Sequence, residues 1–341
     1  MSEFAFIDRI RRLANDRGAG AAPALPLGIG DDAAVIQTRP GCDTVVTTDL
    51  LVEEVDFRRE IPARLLGQKA LAVSLSDIAA MGARPRWSFI SLGLPEEIWK
   101  SDFVDEFYEG FFALADHYSV MLAGGDVSRA PDRIVIDSMV VGEVQRGQAV
   151  KRSGAQPGDL IFVTGTLGGA AAGLRLIESG AQLHVAGQRE HELAAVDALL
   201  LRQMCPEPRV GWGRVLGEER LASAMIDISD GLSSDLRHLC HESVAGALIQ
   251  SSAIPLDQHA VALCGRRALD PLLLALHGGE DFELLFTVPP EALGRVPRQV
   301  DGVPITRIGE ITNEPDSIRI AEGNRVWDLP AGGFEHFKSH N

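Results

Sequence analysis

Lys69-Ala-Leu-Ala-Val-Ser-Leu-Ser-Asp-Ile-Ala-Ala-Met-Gly-Ala83 is the stretch from which the rest of the chain can be ordered. It belongs to a long helix expected over Ala63–Met81, stopped by Gly82 and Pro85. Its apolar part, Leu71–Ala83, is interrupted by Asp77 and falls short of the roughly 18 residues a spanning helix needs. On one side stands a β-rich run, Thr44–Val52 (TVVTTDLLV), preceded by a shorter one at Ala33–Gln37. On the other side Trp87–Leu92 reads as a strand and Glu96–Tyr118 as a helix, with Ile98, Phe103, Phe107 and Phe111 recurring at three or four residues. Strands follow at Val120–Ala123 and Arg133–Val144, the second a largely buried run through Ile134, Val135, Ile136, Met139, Val140 and Val141. At the N-terminus, Phe4–Ala14 places Phe6, Ile7, Ile10 and Leu13 on one helical side, ahead of a Gly, Ala and Pro-rich loop.

Gln145–Asp159, rich in Gly and basic residues, marks a domain boundary. Strand and helix then alternate again. Strands are expected at Leu160–Thr164, Ala224–Ile228 and Glu283–Val288, with closing strands near Ile305 and Ile318, and helices at Gly169–Glu178, Glu190–Gln203 and Leu232–Glu242. The fold class is α/β (α+β) in two domains, 1–145 and 146–341. A length of 341 residues agrees with two domains, and 45% apolar with 23% charged residues is ordinary globular composition.

The net charge of −16 argues against nucleic acid or an anionic membrane surface as partner, since each needs a basic face. Glu3, Asp8 and Arg9 occupy positions where a secretory signal would be apolar, so a soluble cytoplasmic protein is expected. Cys42, Cys205, Cys240 and Cys264 lie far apart with no CxxC pair and read as reduced thiols.

The acidic residues gather in short segments of small residues: Gly28-Ile-Gly-Asp-Asp-Ala33, Thr47-Thr-Asp49, Ser76-Asp77, Gly124-Gly-Asp126, Asp227-Ile-Ser-Asp-Gly231 and Gly278-Gly-Glu-Asp-Phe-Glu283. An Asp beside Gly is ordinarily a turn or a helix cap. The set as a whole suits oxygen ligands converging on hard cations such as Mg²⁺. Gly28–Ala33 is no dinucleotide fingerprint, because a Pro-rich loop leads into it and two aspartates stand where a pyrophosphate would approach. Gly165-Thr-Leu-Gly-Gly169 suits an anion at a helix N-terminus, but it lacks the Walker ending, and tight helix–strand packing is its favoured role. The nine histidines include no HExxH, His238 and His241 read as surface residues, and no GxSxG elbow is present. Near these motifs the cations are Lys69, Lys151 and Arg152, with Lys69 expected on a solvated face or at the edge of the core. Many carboxylates beside few cations points to phosphoryl transfer, in which metal ions stand between carboxylates and phosphates.

Gly28–Val35, Thr47–Val52, Lys69–Ala83, Gly124–Asp126, Lys151-Arg-Ser-Gly154, Asp227–Leu232 and Gly278–Phe286, in that order, resemble the thiamine-monophosphate kinases. The wider superfamily includes aminoimidazole ribonucleotide synthetase, selenophosphate synthetase and a hydrogenase maturation protein. The resemblance implies an aminoimidazole ribonucleotide synthetase-like fold, with an N-terminal sheet that pairs with a second subunit in a homodimer. It implies a C-terminal α/β domain and ATP held in a cleft between the two. The implied reaction passes the γ-phosphoryl of ATP directly to thiamine monophosphate, giving thiamine diphosphate with several Mg²⁺ ions. Carried over by position, Asp32, Thr47, Thr48, Asp49, Asp77, Asp126, Asp227 and Asp230 are the implied metal ligands. Gly125, Asp126, Arg152, Ser229 and Tyr108 are the implied ATP contacts, and Glu280 and Phe334 the implied substrate contacts. The acceptor phosphate is already anionic, so no general base is assigned. The chain departs from the family pattern at Asp56, where His is usual, at Val127 for Thr and at Ser74 for Asn. Asp56 is expected to face the acceptor's cationic or amino groups. The alternatives are another ATP-dependent enzyme of the superfamily, such as an aminoimidazole ribonucleotide synthetase, or a non-catalytic Mg-nucleotide sensor.

Overall fold

Along Thr44–Leu51 the side chains alternate: Thr44, Val46, Thr48 and Leu50 are exposed, while Val45, Thr47 and Asp49 are half-buried and Leu51 is buried. That period of two makes the segment a strand with two unlike faces. In the computed structural model, which describes residues 3–18, 25, 28–29, 34, 36–183, 191–267, 269–330 and 332–333, the chain divides into two units. One is Met1–Ile78 with Ala83–Ala149, the other Ala79–Gly82 with Val150–Asn341.

The first unit contains α1 (Glu3–Gly18), β1 (Cys42–Val52), α2 (Ala63–Ala80), β2 (Arg84–Leu94), α3 (Glu96–Trp99), α4 (Phe103–Tyr118), β3 (Met121–Arg129) and β4 (Val135–Gln145). The sheet runs β1-β4-β2-β3, with β2 and β3 parallel and the other pairs antiparallel. Helix α2 is apolar nearly all round, and Leu66, Leu71, Leu75 and Ile78 are fully buried, so it is a core helix rather than an amphipathic one. Lys69 goes with them at 1% exposure, inside the core rather than on a solvated face or at the edge of the core.

Three expectations change here. The helix expected over Glu96–Tyr118 is two helices, because Ser101 Oγ donates to the Ile98 carbonyl at 2.8 Å and accepts from Phe103 N–H at 3.2 Å, satisfying locally what the helix would have bonded. The strand expected to end at Ala123 runs on to Arg129, so Gly124-Gly-Asp126 lies within β3 rather than at its end. Ala34, Ile36 and Gln37 of the expected Ala33–Gln37 strand carry no strand, and its other residues lie outside the described ones.

The second unit contains β5 (Leu160–Thr164), α5 (Gly169–Glu178), α6 (His191–Met204), α7 (Val210–Glu218), β6 (Ala224–Asp227), α8 (Leu232–Ser243), β7 (Gly246–Gln250), α9 (Gln258–Arg267), α10 (Pro271–His277), β8 (Leu284–Val288), β9 (Gln299–Val300), β10 (Val303–Thr312), β11 (Ile318–Glu322) and β12 (Arg325–Asp328). Its sheet runs β12-β11-β7-β10-β5-β8-β6, with β9 beside β10. Of these pairs, β7 with β11 is parallel. Strands β5 and β8 are buried at every residue, as expected of central strands, and so is β6 at the end of the sheet. Helix α10, which hydrophobic pattern alone did not disclose, starts at a local signal: the Asp270 side chain accepts Leu272 N–H at 2.9 Å and Pro271 occupies the first turn. Among the described residues no helix is long and apolar enough to cross a membrane.

Candidate active site: carboxylates on two sheets

In the first unit, hydroxyls from a strand and a helix meet carboxylates. Thr47 Oγ1 donates to Asp77 Oδ2, and Ser74 Oγ donates to Asp49 Oδ2 at 2.6 Å. Thr47 and Asp49 lie on the β1 face toward α2, and Asp49 is paired across the sheet with Ser138. Burial, with Asp77 and then Asp137 as like-charged neighbours, pushes the Asp49 carboxyl up to about 6, against the opposing bond from Ser74.

On the opposite face, Thr48 Oγ1 donates to Asp137 Oδ1 at 2.7 Å. Register places Leu50, Asp137, Ser91 and Asp126 in one row across all four strands of that face. The structure thus brings Thr47, Asp49 and Asp77 together, and separately joins Thr48 and Asp126 to a row that includes Asp137. Sequence reading missed Asp137; its signal was an ionisable residue inside the apolar run Ile134–Val141. Gly125 lets β3 pass: its φ is +156°, and a Cβ there would fall 2.0 Å from the Ile90 carbonyl oxygen.

In the second unit, Asp227 ends β6 and is buried. The chain beyond it lies along Gly278–Glu283 through three backbone bonds: Ile228 N–H to the Glu283 carbonyl at 2.7 Å, Phe282 N–H to the Ile228 carbonyl at 2.9 Å, and Glu280 N–H to the Ser229 carbonyl at 2.8 Å. Asp235, in the first turn of α8, accepts from Asp230 N–H at 3.2 Å and Gly231 N–H at 3.1 Å. Burial, Asp227 and Asp230 hold its carboxyl well above the usual carboxylate range. Asp235 too was missed, although an acid opening a helix just after two aspartates was there to be read.

The Gly278–Glu283 segment is differentiated residue by residue. Asp281 Oδ2 accepts Gly168 N–H at 2.6 Å and Oδ1 accepts Ala170 N–H at 3.1 Å. The anion at the start of α5 is therefore a side chain of this chain, which accounts for the helix N-terminus at Gly165–Gly169. Glu283 is fully buried between Arg209, Arg202 and the Thr164 hydroxyl, so it holds the interior together. Glu280 is half-buried at φ +65°.

Tyr108 is buried, with its ring against Phe107, Phe111 and Phe112. Arg152 is exposed, and its carbonyl accepts from Ser243 Oγ at 3.1 Å. Asp56 Oδ2 accepts Val52 N–H at 2.8 Å, and its carbonyl accepts from Lys69 Nζ at 3.3 Å. Asp32 and Phe334 lie outside the described residues.

Residues 30–144 match the family described as AIR synthase related protein, N-terminal domain, and residues 156–321 its C-terminal domain counterpart. The thiamine-monophosphate kinase of Escherichia coli K12 is 38% identical over 329 residues, covering 94% of this chain and 95% of that protein. This chain belongs to the thiamine-monophosphate kinase family. The crystal structure of the Stenotrophomonas maltophilia K279a thiamine-monophosphate kinase superposes with a TM-score of 0.81 at 42% identity, covering 94% of this chain and 96% of that one. AaThiL complexed with AMPPCP and TMP superposes with a TM-score of 0.77 at 32% identity, covering 98% and 97%.

For a thiamine-monophosphate kinase family member, the donor chemistry fits Mg²⁺. Burial, Asp77 and Asp137 raise the cost of ionising Asp49, and the side chains bonded around them offer oxygen donors. The Thr and Ser hydroxyls can turn a lone pair outward, since each is both donor and acceptor. Among the described residues no three Asp, Glu, His or Cys side chains close on a single point.

Proposed function

We propose that this chain transfers the γ-phosphoryl group of ATP to the phosphate of thiamine monophosphate, giving thiamine diphosphate and ADP. A bond forms between an acceptor phosphate oxygen and the γ-phosphorus as the bond to the β,γ-bridging oxygen breaks. The observation that carries this reading is the presence of mutually repelling carboxylates in both units, Asp49 with Asp77 and Asp137, and Asp235 with Asp227 and Asp230. Such groups tolerate a polyphosphate only with cations between them. Bound Mg²⁺ supplies that neutralisation, and Asp32, Thr47, Thr48, Asp49, Asp77, Asp126, Asp227 and Asp230 are the residues to hold it. Gly125, Asp126, Arg152, Ser229 and Tyr108 serve ATP, while Asp56, Glu280 and Phe334 serve the acceptor.

No side chain is needed as a general base, because the attacking oxygen is anionic near neutral pH. Orientation and charge carry the rate. Glu280 suits the acceptor's thiazolium as a carboxylate beside a cation. The exposed Val46 and Leu50 on β1 support a homodimer through this face, with a second copy as the occupant. Cytoplasmic residence agrees with the composition and with the lack of a membrane-crossing helix among the described residues.

The test is product analysis with purified protein, ATP, Mg²⁺ and thiamine monophosphate, using EDTA and free thiamine as controls. Magnesium-dependent thiamine diphosphate, with none from free thiamine, is expected. Binding of ATP without any diphosphate would favour a nucleotide sensor.

A further inference from the structure

Helix α6 ends with two polar residues turned inward. Arg202 reaches Asp281 and Glu283, and Gln203, only 5% exposed, donates its side-chain amide to Glu280 Oε2. Three charged positions of the Gly278–Glu283 segment are thereby read from outside it: Glu280 by Gln203, Asp281 by the N–H groups of Gly168 and Ala170, and Glu283 by Arg209 and Arg202.

Glu280 is the half-buried member of this set, while Asp281 and Glu283 are buried. Its backbone is in the left-handed region at φ +65°, and Phe282 shares that feature at φ +50°. Non-glycine residues hold such a conformation only where the surroundings over-determine it. Here the backbone is fixed by the bond from Glu280 N–H to the Ser229 carbonyl, and the side chain by Gln203. The Gln203 side chain is itself placed by close helix packing. A Cβ on Gly173 of α5 would fall 2.1 Å from the Leu199 carbonyl oxygen and 3.1 Å from Gln203 Cβ, so α5 and α6 touch where Gln203 departs.

We propose that Gln203 is a positioning residue that aims the Glu280 carboxylate at the cationic part of the phosphoryl acceptor and so sets acceptor affinity. This rests on the reading of Glu280 as an acceptor contact. A neutral amide donor suits that role, because it orients the carboxylate without cancelling its charge, as an arginine would.

Steady-state kinetics of the full chain, with ATP and thiamine monophosphate varied separately, test it on Gln203→Met, Glu280→Gln and the double variant. Q203M keeps the length and bulk of the side chain and removes the donor. The expected result is an acceptor KM raised about tenfold in Q203M, with kcat and the ATP KM within twofold, and no further rise when Q203M is added to E280Q. The exchange variant Q203E/E280Q covers the case in which Q203M does not fold. It restores a hydrogen bond between the two positions with the charge on the wrong side, so its melting temperature returns towards the parent's while the acceptor KM stays high. A Q203M variant with parental acceptor KM, where E280Q is impaired, overturns the role of Gln203 and leaves Glu280 in place, and a parental acceptor KM in the exchange variant overturns the need for a carboxylate at position 280 held by an amide at 203. A parental acceptor KM in E280Q overturns the reading of Glu280 and the role of Gln203 with it.

Discussion

Arg209 and Glu283 meet as a two-pronged pair, Nε to Oε2 at 2.6 Å and Nη2 to Oε1 at 2.6 Å, in the interior of the second unit. Glu283 has no exposure, and the Arg209 side chain has 6%. The guanidinium holds the Glu283 carboxyl below the ordinary carboxylate range even though burial pushes the other way. A Glu283→Gln variant leaves the buried Arg209 with the exposed Glu207 carboxylate, 2.9 Å from Nη1, in place of its buried counter-charge. The expected cost is about 3–5 kcal/mol in denaturant unfolding. A loss below about 1 kcal/mol would mean that Glu207 and water are enough to hold the Arg209 charge.

Two residues away the sign reverses. Burial raises Asp281 from 3.8 to about 6 despite Arg202 and the two backbone donors. The folded state then takes up a proton that the unfolded state has already released. Its contribution is therefore most favourable below pH 3.8 and declines as pH rises to about 6. At 1.36 kcal/mol per pKa unit the decline is about 3 kcal/mol. The unfolding free energy of the parent minus that of Asp281→Asn, measured from pH 3 to pH 7, should fall by about that amount. A flat difference would show that Asp281 is ionised throughout.

These two carboxylates also show what a sequence discloses. Strands such as β5 and β8, and the apolar helix α2, were legible because burial on several sides demands uninterrupted apolar residues, whatever the partner. Gly278–Glu283 was legible as an acidic segment, but the division of labour within it was not. Asp281 and Glu283 differ from Glu280 only through Gly168, Ala170, Arg202 and Arg209, which are distant in the chain and brought near by folding. Lys69 escaped for a related reason: the Asp56 carbonyl that receives its ammonium comes from the turn after β1. Asp137 and Asp235 gave fainter signals, a lone acid inside an apolar strand and an acid in the first turn of a helix, each of which has an ordinary structural use.

Asp49 provides a prediction in which stability and function move in opposite directions. Its carboxyl is pushed up to about 6 by burial and by Asp77 and Asp137, so the charge it carries at pH 7 costs the metal-free fold stability. Asp49→Asn removes that charge and still accepts the Ser74 hydroxyl. The metal-free variant is expected to be more stable than the parent by about 1–2 kcal/mol. Its thermal shift on adding Mg²⁺ should shrink, and its turnover should fall by about 10²-fold or more. A variant that is less stable without metal, or that keeps the full Mg²⁺ shift, would contradict the proposed ligand role.

Asp56 has two separable roles to test, one in the turn and one towards the acceptor. Its Oδ2 accepts Val52 N–H at 2.8 Å, which ties the turn after β1. Asn at this position can still accept that bond through its carbonyl oxygen but carries no charge, whereas Ala can do neither. If Asp56 meets the acceptor's cationic part, Asp56→Asn and Asp56→Ala should both raise the acceptor KM about tenfold and leave the ATP KM nearly unchanged. Asp56→Ala alone should also lower the melting point, because only it loses the turn. An Asn variant with parental kinetics would confine Asp56 to the turn, and an equal rise in both KM values would remove it from the acceptor site.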